Sequence, residues 1–291
     1  MTATDATGAT GATGATDTPV PTRRAWVEQV MGMPVSIHLR GRGSRTPEAE
    51  SRVQAAYDEL RAVDVLFSPY LWGSEVSRID RGELRVEDAH PLVAEVVALC
   101  ESAAVLTGGS FTAFYLAGTA LPGRRGFDPT GLVKGWAVQR AAEHLAAGLG
   151  CDVSVNAGGD IAVRPGADPL PWRIGIEDPA DPARVLAVLP LTRGGVATSG
   201  TARRGRHLVD PASGRTVADA LSVTVVGPSL LWADVLATAA FVRGPVDGLA
   251  MVEGLTGYEA LVVAGDGALT TTSGLRGADP RDQTLTGDMS G

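Results

Sequence analysis

Val153-Ser154-Val155-Asn156-Ala157-Gly158-Gly159-Asp160-Ile161 is an apolar run that enters Asn-Ala-Gly-Gly-Asp and continues beyond it to Arg164. Strand, tight turn and strand make an antiparallel hairpin, for which Gly-Gly and Gly-Asp are favoured turn pairs. The same two glycines would also let a backbone approach a ligand closely. The stretch therefore carries two readings, a plain hairpin turn and part of a binding site.

Helices and strands mix on both sides of this hairpin. Residues 133–148 upstream read as a helix. Residues 25–40 read as strands with a turn at Gly32, and 47–66 as a helix in which Val53, Ala56, Leu60 and Val63 recur at helical spacing. Residues 91–106 form an apolar helix closed by Gly108-Gly109. Downstream, strands are expected near 172–177, 185–191, 221–226, 259–264 and 268–272, with helices at 229–243 and 246–255. No composition break interrupts 23–275, so one intertwined α+β domain is expected. Residues 1–22 repeat Thr-Gly-Ala-Thr and read as a disordered low-complexity tail, and 276–291 as a flexible C-terminal tail.

The composition narrows the function. Of 291 residues 44% are hydrophobic and 20% charged, an ordinary globular balance. A formal net charge of -8 argues against a nucleic-acid binder, which carries a basic face. Cys100 and Cys151 form no Cys-x-x-Cys pair and read as buried thiols. His38, His90, His144 and His207 lack metal-ligand spacing. There is no secretory signal and no run of roughly 20 apolar residues to span a bilayer, so a cytoplasmic protein is expected.

Three further stretches hold chemistry. In Asp128-Pro129-Thr130-Gly131-Leu132-Val133-Lys134, a carboxylate and an ammonium flank a glycine turn into a helix. A helix start suits phosphate, while a capping Asp with a solvated Lys is the plainer reading. Ala197-Thr198-Ser199-Gly200 leads to His207, beside Arg203, Arg204 and Arg206, and reads either as a basic loop acting on a phosphate ester or as a solvated turn. Asp234 and Thr238 stand four apart in an apolar helix and so share one face. A carboxylate and a hydroxyl are hard oxygen ligands suited to magnesium, and a buried Asp needs such a partner.

In order and spacing these motifs resemble those of the ApbE-type FAD:protein FMN transferases, from about residue 30 to 265. Met31-Gly32, Phe67-Ser68-Pro69-Tyr70, Ser74-Glu75-Val76-Ser77-Arg78 and Gly109-Ser110-Phe111 add to the likeness. The resemblance implies a T-fold-like α+β architecture and magnesium-dependent transfer of FMN from FAD to a Ser or Thr hydroxyl, releasing AMP; the alternative readings are a magnesium-dependent FAD diphosphatase giving FMN and AMP, and a non-catalytic FAD-binding protein. The partner would be an acceptor flavoprotein with a Ser/Thr-Gly-Ala-Ser/Thr type motif. Met31, Tyr70, Ser110, Phe111 and Thr112 would line the flavin and adenine pockets, Asp128 and Lys134 would hold FAD, and Leu208 would close over it with His207. The Gly131 carbonyl, Asp234 and Thr238 would bind magnesium. His207 and Asp160 are the two candidates for the base. The chain departs from the family pattern at Thr112 and Gln139, where Asp is usual, and at Ala237, where some members carry another metal-binding Asp.

Overall fold

The computed structural model describes residues 22–115, 126–200 and 220–275, with backbone alone at Ala220 and Leu221. The helices are α1 (Pro47–Phe67), α2 (Glu75–Asp80), α3 (Pro91–Leu106), α4 (Thr130–Ala146), α5 (Leu230–Arg243) and α6 (Pro245–Glu253). An antiparallel sheet runs, in spatial order, β1 (Arg23–Val30), β2 (Met33–Arg40), β3 (Asp152–Ala157), β4 (Asp160–Arg164), β7 (Gly194–Gly200), β8 (Ala220–Gly227), β9 (Glu259–Ala264) and β10 (Leu269–Thr271). β5 (Trp172–Asp178) and β6 (Asp181–Leu191) pair as a separate ribbon.

The period-two alternation of side chains explains how the layers stack. Val35, Ile37 and Leu39 of β2, Val223 and Val225 of β8, and Ala260 and Val262 of β9 are buried in the core shared with the helices. Val163, Val196, Val226, Leu261 and Val263 point the other way and pack with Trp172, Ile174, Ile176, Leu189 and Leu191 of the ribbon. The sheet is thus the middle of three layers, buried on both faces where β4, β7, β8 and β9 lie. α5 packs on α4, α6, β7 and β8, and its buried side chains extend around the helix, which is why its sequence is apolar almost throughout.

The single intertwined α+β domain is as expected, with four differences in detail. α4 begins at Thr130 rather than 133, because Asp128 Oδ1 accepts hydrogen bonds from Thr130 N and Oγ1 and so starts the helix before its apolar period begins. β6 begins at Asp181, where exposed residues outside the core still pair with β5. β7 and the six-residue α2 were not expected as regular elements. No helix among the described residues is long and apolar enough to cross a membrane. The tails lie outside the described residues except Thr22, which exchanges hydrogen bonds with Gly41.

Candidate active site

The hairpin that opened the sequence is a two-residue turn, with Gly158 at φ 61° and Gly159 at φ 104°. Positive φ at both central residues is what a tight twisted hairpin needs and what glycine supplies. This turn, the Met31-Gly32 turn between β1 and β2, and the Gly200 end of β7 lie at the same end of the sheet. A cleft of about 1230 Å³ opens there, and Gly158 and Gly159 line it. The turn is therefore both a plain hairpin and a wall of the cleft.

A cluster of three charges stands at the helix side of this end. Lys134, in the second turn of α4, forms an ion pair with Asp160 Oδ2, and its Nζ lies 3.6 Å from Asp234 Oδ1. Asp160 Oδ1 accepts the Thr198 N–H at 3.1 Å, and Asp234 Oδ2 accepts the Gly135 N–H at 3.1 Å. Asp160 is 1% exposed and Asp234 3%. Burial pushes the Asp234 carboxyl up to about 7; Lys134 opposes the rise and the neighbouring Asp160 charge adds to it. Lys134 is thus a largely buried counter-ion, not the solvated charge that its sequence context allowed.

Close helix packing sets this geometry. A Cβ at Gly135 would lie 2.9 Å from Asp234 Cβ and 3.1 Å from Leu230 O, so only glycine lets α4 approach α5 so closely. Thr238 follows Asp234 by one turn, and its Oγ1 lies 3.0 Å from Ser199 Oγ. Neighbouring β7 residues point to opposite faces: Ser199 meets α5, while Thr198 Oγ1 meets Thr224 Oγ1 at 2.8 Å on the ribbon side.

Other expected residues surround the cluster. Met31, Tyr70, Ser110, Phe111, Thr112, Asp128, Gly131, Lys134, Asp234 and Thr238 all line the cleft. Asp128 is not the cap, which is Pro129; its Oδ1 accepts from Thr130 N and Oγ1 in a turn that leads into α4, and the residue also lines the cleft. Phe111 is buried against Gly131, where a Cβ would stand 3.2 Å from the ring. Ser110 Oγ accepts the Arg243 Nε–H at 2.8 Å, and Thr112 Oγ1 accepts the Phe114 N–H at 3.0 Å. Tyr70 sits at the rim, 87% exposed. Asp160 holds Lys134 from beneath and is not part of the lining. His207 and Leu208 lie outside the described residues.

Gln139 faces α5 rather than the cleft: its Oε1 accepts from Ser229 Oγ at 2.8 Å and Leu231 N at 3.2 Å, tying α4 to the start of α5. Sequence reading passed over Asp80, a buried carboxylate whose Oδ1 accepts from Gly126 N at 3.0 Å and Phe127 N at 2.9 Å. It fixes the segment leading into Asp128, and no local pattern around Asp80 announces that.

The donor set fits magnesium. Asp160 and Asp234 place two buried carboxylates around one ammonium, leaving one negative charge that a divalent cation would offset. Among the described residues no three His, Cys, Asp or Glu side chains converge on a metal position. Magnesium, which is bound by one or two carboxylates and completed by hydroxyl, carbonyl, water and substrate phosphate oxygens, does not require such a cluster.

The ApbE family model matches residues 117–262. The chain is 34% identical over 137 residues to the FAD:protein FMN transferase of Vibrio cholerae, covering 43% of this chain and 41% of that protein. It is 39% identical over 101 residues to the FAD:protein FMN transferase of Escherichia coli, covering 31% of this chain and 29% of that one. These alignments thus span less than half the length of either relative. Among solved structures, the ApbE protein of Thermotoga maritima has a TM-score of 0.76 at 21% identity, covering 87% of this chain and 97% of that one. The flavin transferase ApbE of Vibrio cholerae has a TM-score of 0.72 at 23% identity, covering 87% and 98%. The α+β architecture is therefore that of solved ApbE structures.

Proposed function

On the premise that this chain belongs to the ApbE family, we propose that it transfers FMN from FAD to a Ser or Thr hydroxyl of an acceptor flavoprotein, releasing AMP. The observation that carries this reading is the buried Asp160–Lys134–Asp234 cluster, beside Thr238, at the floor of a cleft of about 1230 Å³. Ordinary small-molecule sites enclose roughly 300–1,000 Å³, so this cleft has room for a dinucleotide and an incoming polypeptide segment.

In the reaction the acceptor oxygen bonds to the flavin-side phosphorus while the P–O bond to the AMP phosphate breaks. The hydroxyl proton passes to a base. AMP departs as a phosphate monoester whose second pKa is about 6, so it needs little acid assistance. Lys134 presents a fixed positive charge towards the diphosphate, and the start of α4 at Thr130 and Gly131 favours the same anion. Magnesium held by Asp234, Thr238 and the Gly131 carbonyl would supply further charge neutralisation. Asp160 is one candidate base, but its oxygens are engaged by Lys134 and the Thr198 N–H, so it must release a contact to take the proton. His207 is the other.

The test is incubation of the full chain with FAD, magnesium and a flavin-acceptor domain. A fluorescent flavin band that survives denaturation is expected, with AMP appearing in equal amount. FAD left intact with several acceptors would overturn the transferase reading, and FMN plus AMP without a protein adduct would replace it with hydrolysis.

A further inference from the structure

The two edges of the eight-stranded sheet differ. β10 is three residues long, whereas β1 spans Arg23–Val30 and pairs with β2 through all eight residues without a bulge. Among the described residues no strand lies outside β1, and it holds no Pro to blunt the edge. Thr22 O accepts the Gly41 N–H at 2.9 Å, and Arg23 then stands opposite Arg40. Antiparallel partners alternate between hydrogen-bonded and non-hydrogen-bonded pairs, so Arg24, Trp26, Glu28 and Val30 bond to β2. The N–H and C=O groups of Arg23, Ala25, Val27 and Gln29 therefore point to the open edge. Val27 is 64% exposed, and Ala25 and Gln29 are exposed on the same face.

We propose that β1 pairs antiparallel with β1 of a second copy of this chain, about a two-fold axis at Trp26. In that register the strand is complementary to itself. Ala25 faces the partner's Val27, Arg23 faces the partner's Gln29, and their outward backbone groups bond across the axis. Arg24 faces the partner's Glu28 at a non-hydrogen-bonded position, where opposed side chains come closest and opposite charges stabilise a pair. Both side chains are already held by α1, Arg24 by Glu50 at 3.0 Å and Glu28 by Arg61, so pairing orders little that is free. Moving the axis to Ala25 or Val27 keeps the bonding pattern but opposes that residue to itself and parts Arg24 from Glu28. A slip by one residue loses the bonds. Charge complementarity thus favours a second copy over an unrelated strand, and an interface of identical patches closes as a dimer. Continued by one step, the register sets Thr22 opposite the partner's Val30, beside the Met31-Gly32 turn that lines the cleft. The entry into β1 of each copy then stands at the mouth of the other copy's cleft, whereas within its own copy Thr22 lies at the opposite end of the sheet.

The experiment uses the full chain. Sedimentation of the wild type should show a monomer–dimer equilibrium at micromolar concentration. Val27→Pro removes an N–H that β2 does not use and places a ring at the open edge. By symmetry it deletes two intermolecular hydrogen bonds, so the dimer Kd should rise at least about tenfold. Circular dichroism of the dilute monomer should match the wild type. Separately, Ala25→Cys and Val27→Cys proteins are mixed under mild oxidation. A hydrogen-bonded pair stands about 5.5 Å apart at Cα, within disulfide reach, so the two variants should cross-link to each other and each poorly to itself. Cys100 and Cys151 are buried and do not compete. A wild type that stays monomeric at micromolar concentration overturns the proposal. A Val27→Pro dimer of wild-type affinity also overturns it, by placing the interface elsewhere. Absence of mixed cross-links, or preference of either variant for itself, overturns the register. If Val27→Pro does not fold, the cysteine mixture decides alone.

Discussion

Gly135→Ala tests whether the contact between α4 and α5 is what places Asp234. The added Cβ would stand 2.9 Å from Asp234 Cβ, 3.0 Å from its Oδ2 and 3.1 Å from Leu230 O. The first and last of these atoms are fixed to the α5 backbone and cannot rotate away, so the helices must separate. Overpacking by one methyl group costs about 1–3 kcal/mol. Replacing a mid-helix glycine by alanine recovers about 1 kcal/mol. The Gly135 N–H to Asp234 bond, at 3.1 Å, stretches as the helices part. Hydrogen bonds to a charged group contribute about 1.5–3 kcal/mol, and part of that is lost. The net loss should be about 1–3 kcal/mol, a fall in Tm of roughly 3–10 °C for a chain of this size. Function should suffer more than stability, because a shift of a few tenths of an ångström misplaces the carboxylate proposed to bind magnesium. The concentration of magnesium giving half-maximal flavin transfer should rise at least about tenfold. Gly254→Ala is the control: its φ is -76° and the nearest atom to the new Cβ is Met251 O at 3.6 Å, so both readouts should stay near wild type. If Gly135→Ala melts and responds to magnesium as the wild type does, the contact does not position Asp234.

Three other perturbations probe the same cluster. Asp234 has its folded-state pKa raised to about 7, mainly by burial, so it contributes stability at low pH that is lost as pH rises through that value. Metal-free protein should therefore lose Tm between about pH 4 and 7 through this group, and saturating magnesium should flatten that trend; a chelator-treated Asp234→Asn variant with an unchanged profile would assign the titration elsewhere. Lys134→Met leaves Asp160 and Asp234 buried without their counter-ion and should lower urea stability by about 3–5 kcal/mol, with much of it regained on adding Asp160→Asn. Wild-type stability of the single variant would show that the ion pairs contribute nothing in solution. Ser199→Ala removes the 3.0 Å partner of Thr238 and should lower stability by about 0.5–1.5 kcal/mol, with a weaker magnesium response in the transfer assay. A magnesium response identical to wild type would show that Ser199 does not orient the Thr238 hydroxyl.

What could be read in advance follows from how local each signal is. α1 and α3 were legible because each buries one stripe, and their apolar residues repeat at the helical period. β7 was not, because Ala197-Thr198-Ser199-Gly200 has small or polar residues facing both layers, so no alternation marks it as a strand. Asp234 and Thr238 stood out because their helix is apolar around them. Asp160 was named as a candidate base, but its burial was not legible, because it follows a glycine turn, where an acidic residue is ordinarily solvated; that burial depends on Lys134 from α4 and Thr198 from β7. The same reasoning explains Ser222. Within Leu221-Ser222-Val223-Thr224 it reads as a strand hydroxyl on an alternating face, and its neighbour Thr224 is indeed paired. Its oxygen, opposite Gly200 on a strand that the sequence pattern did not mark, is buried and unpartnered among the described residues. Local patterns thus revealed the groups that hold charge within one helix, whereas the groups that complete the cleft depend on which strands become neighbours.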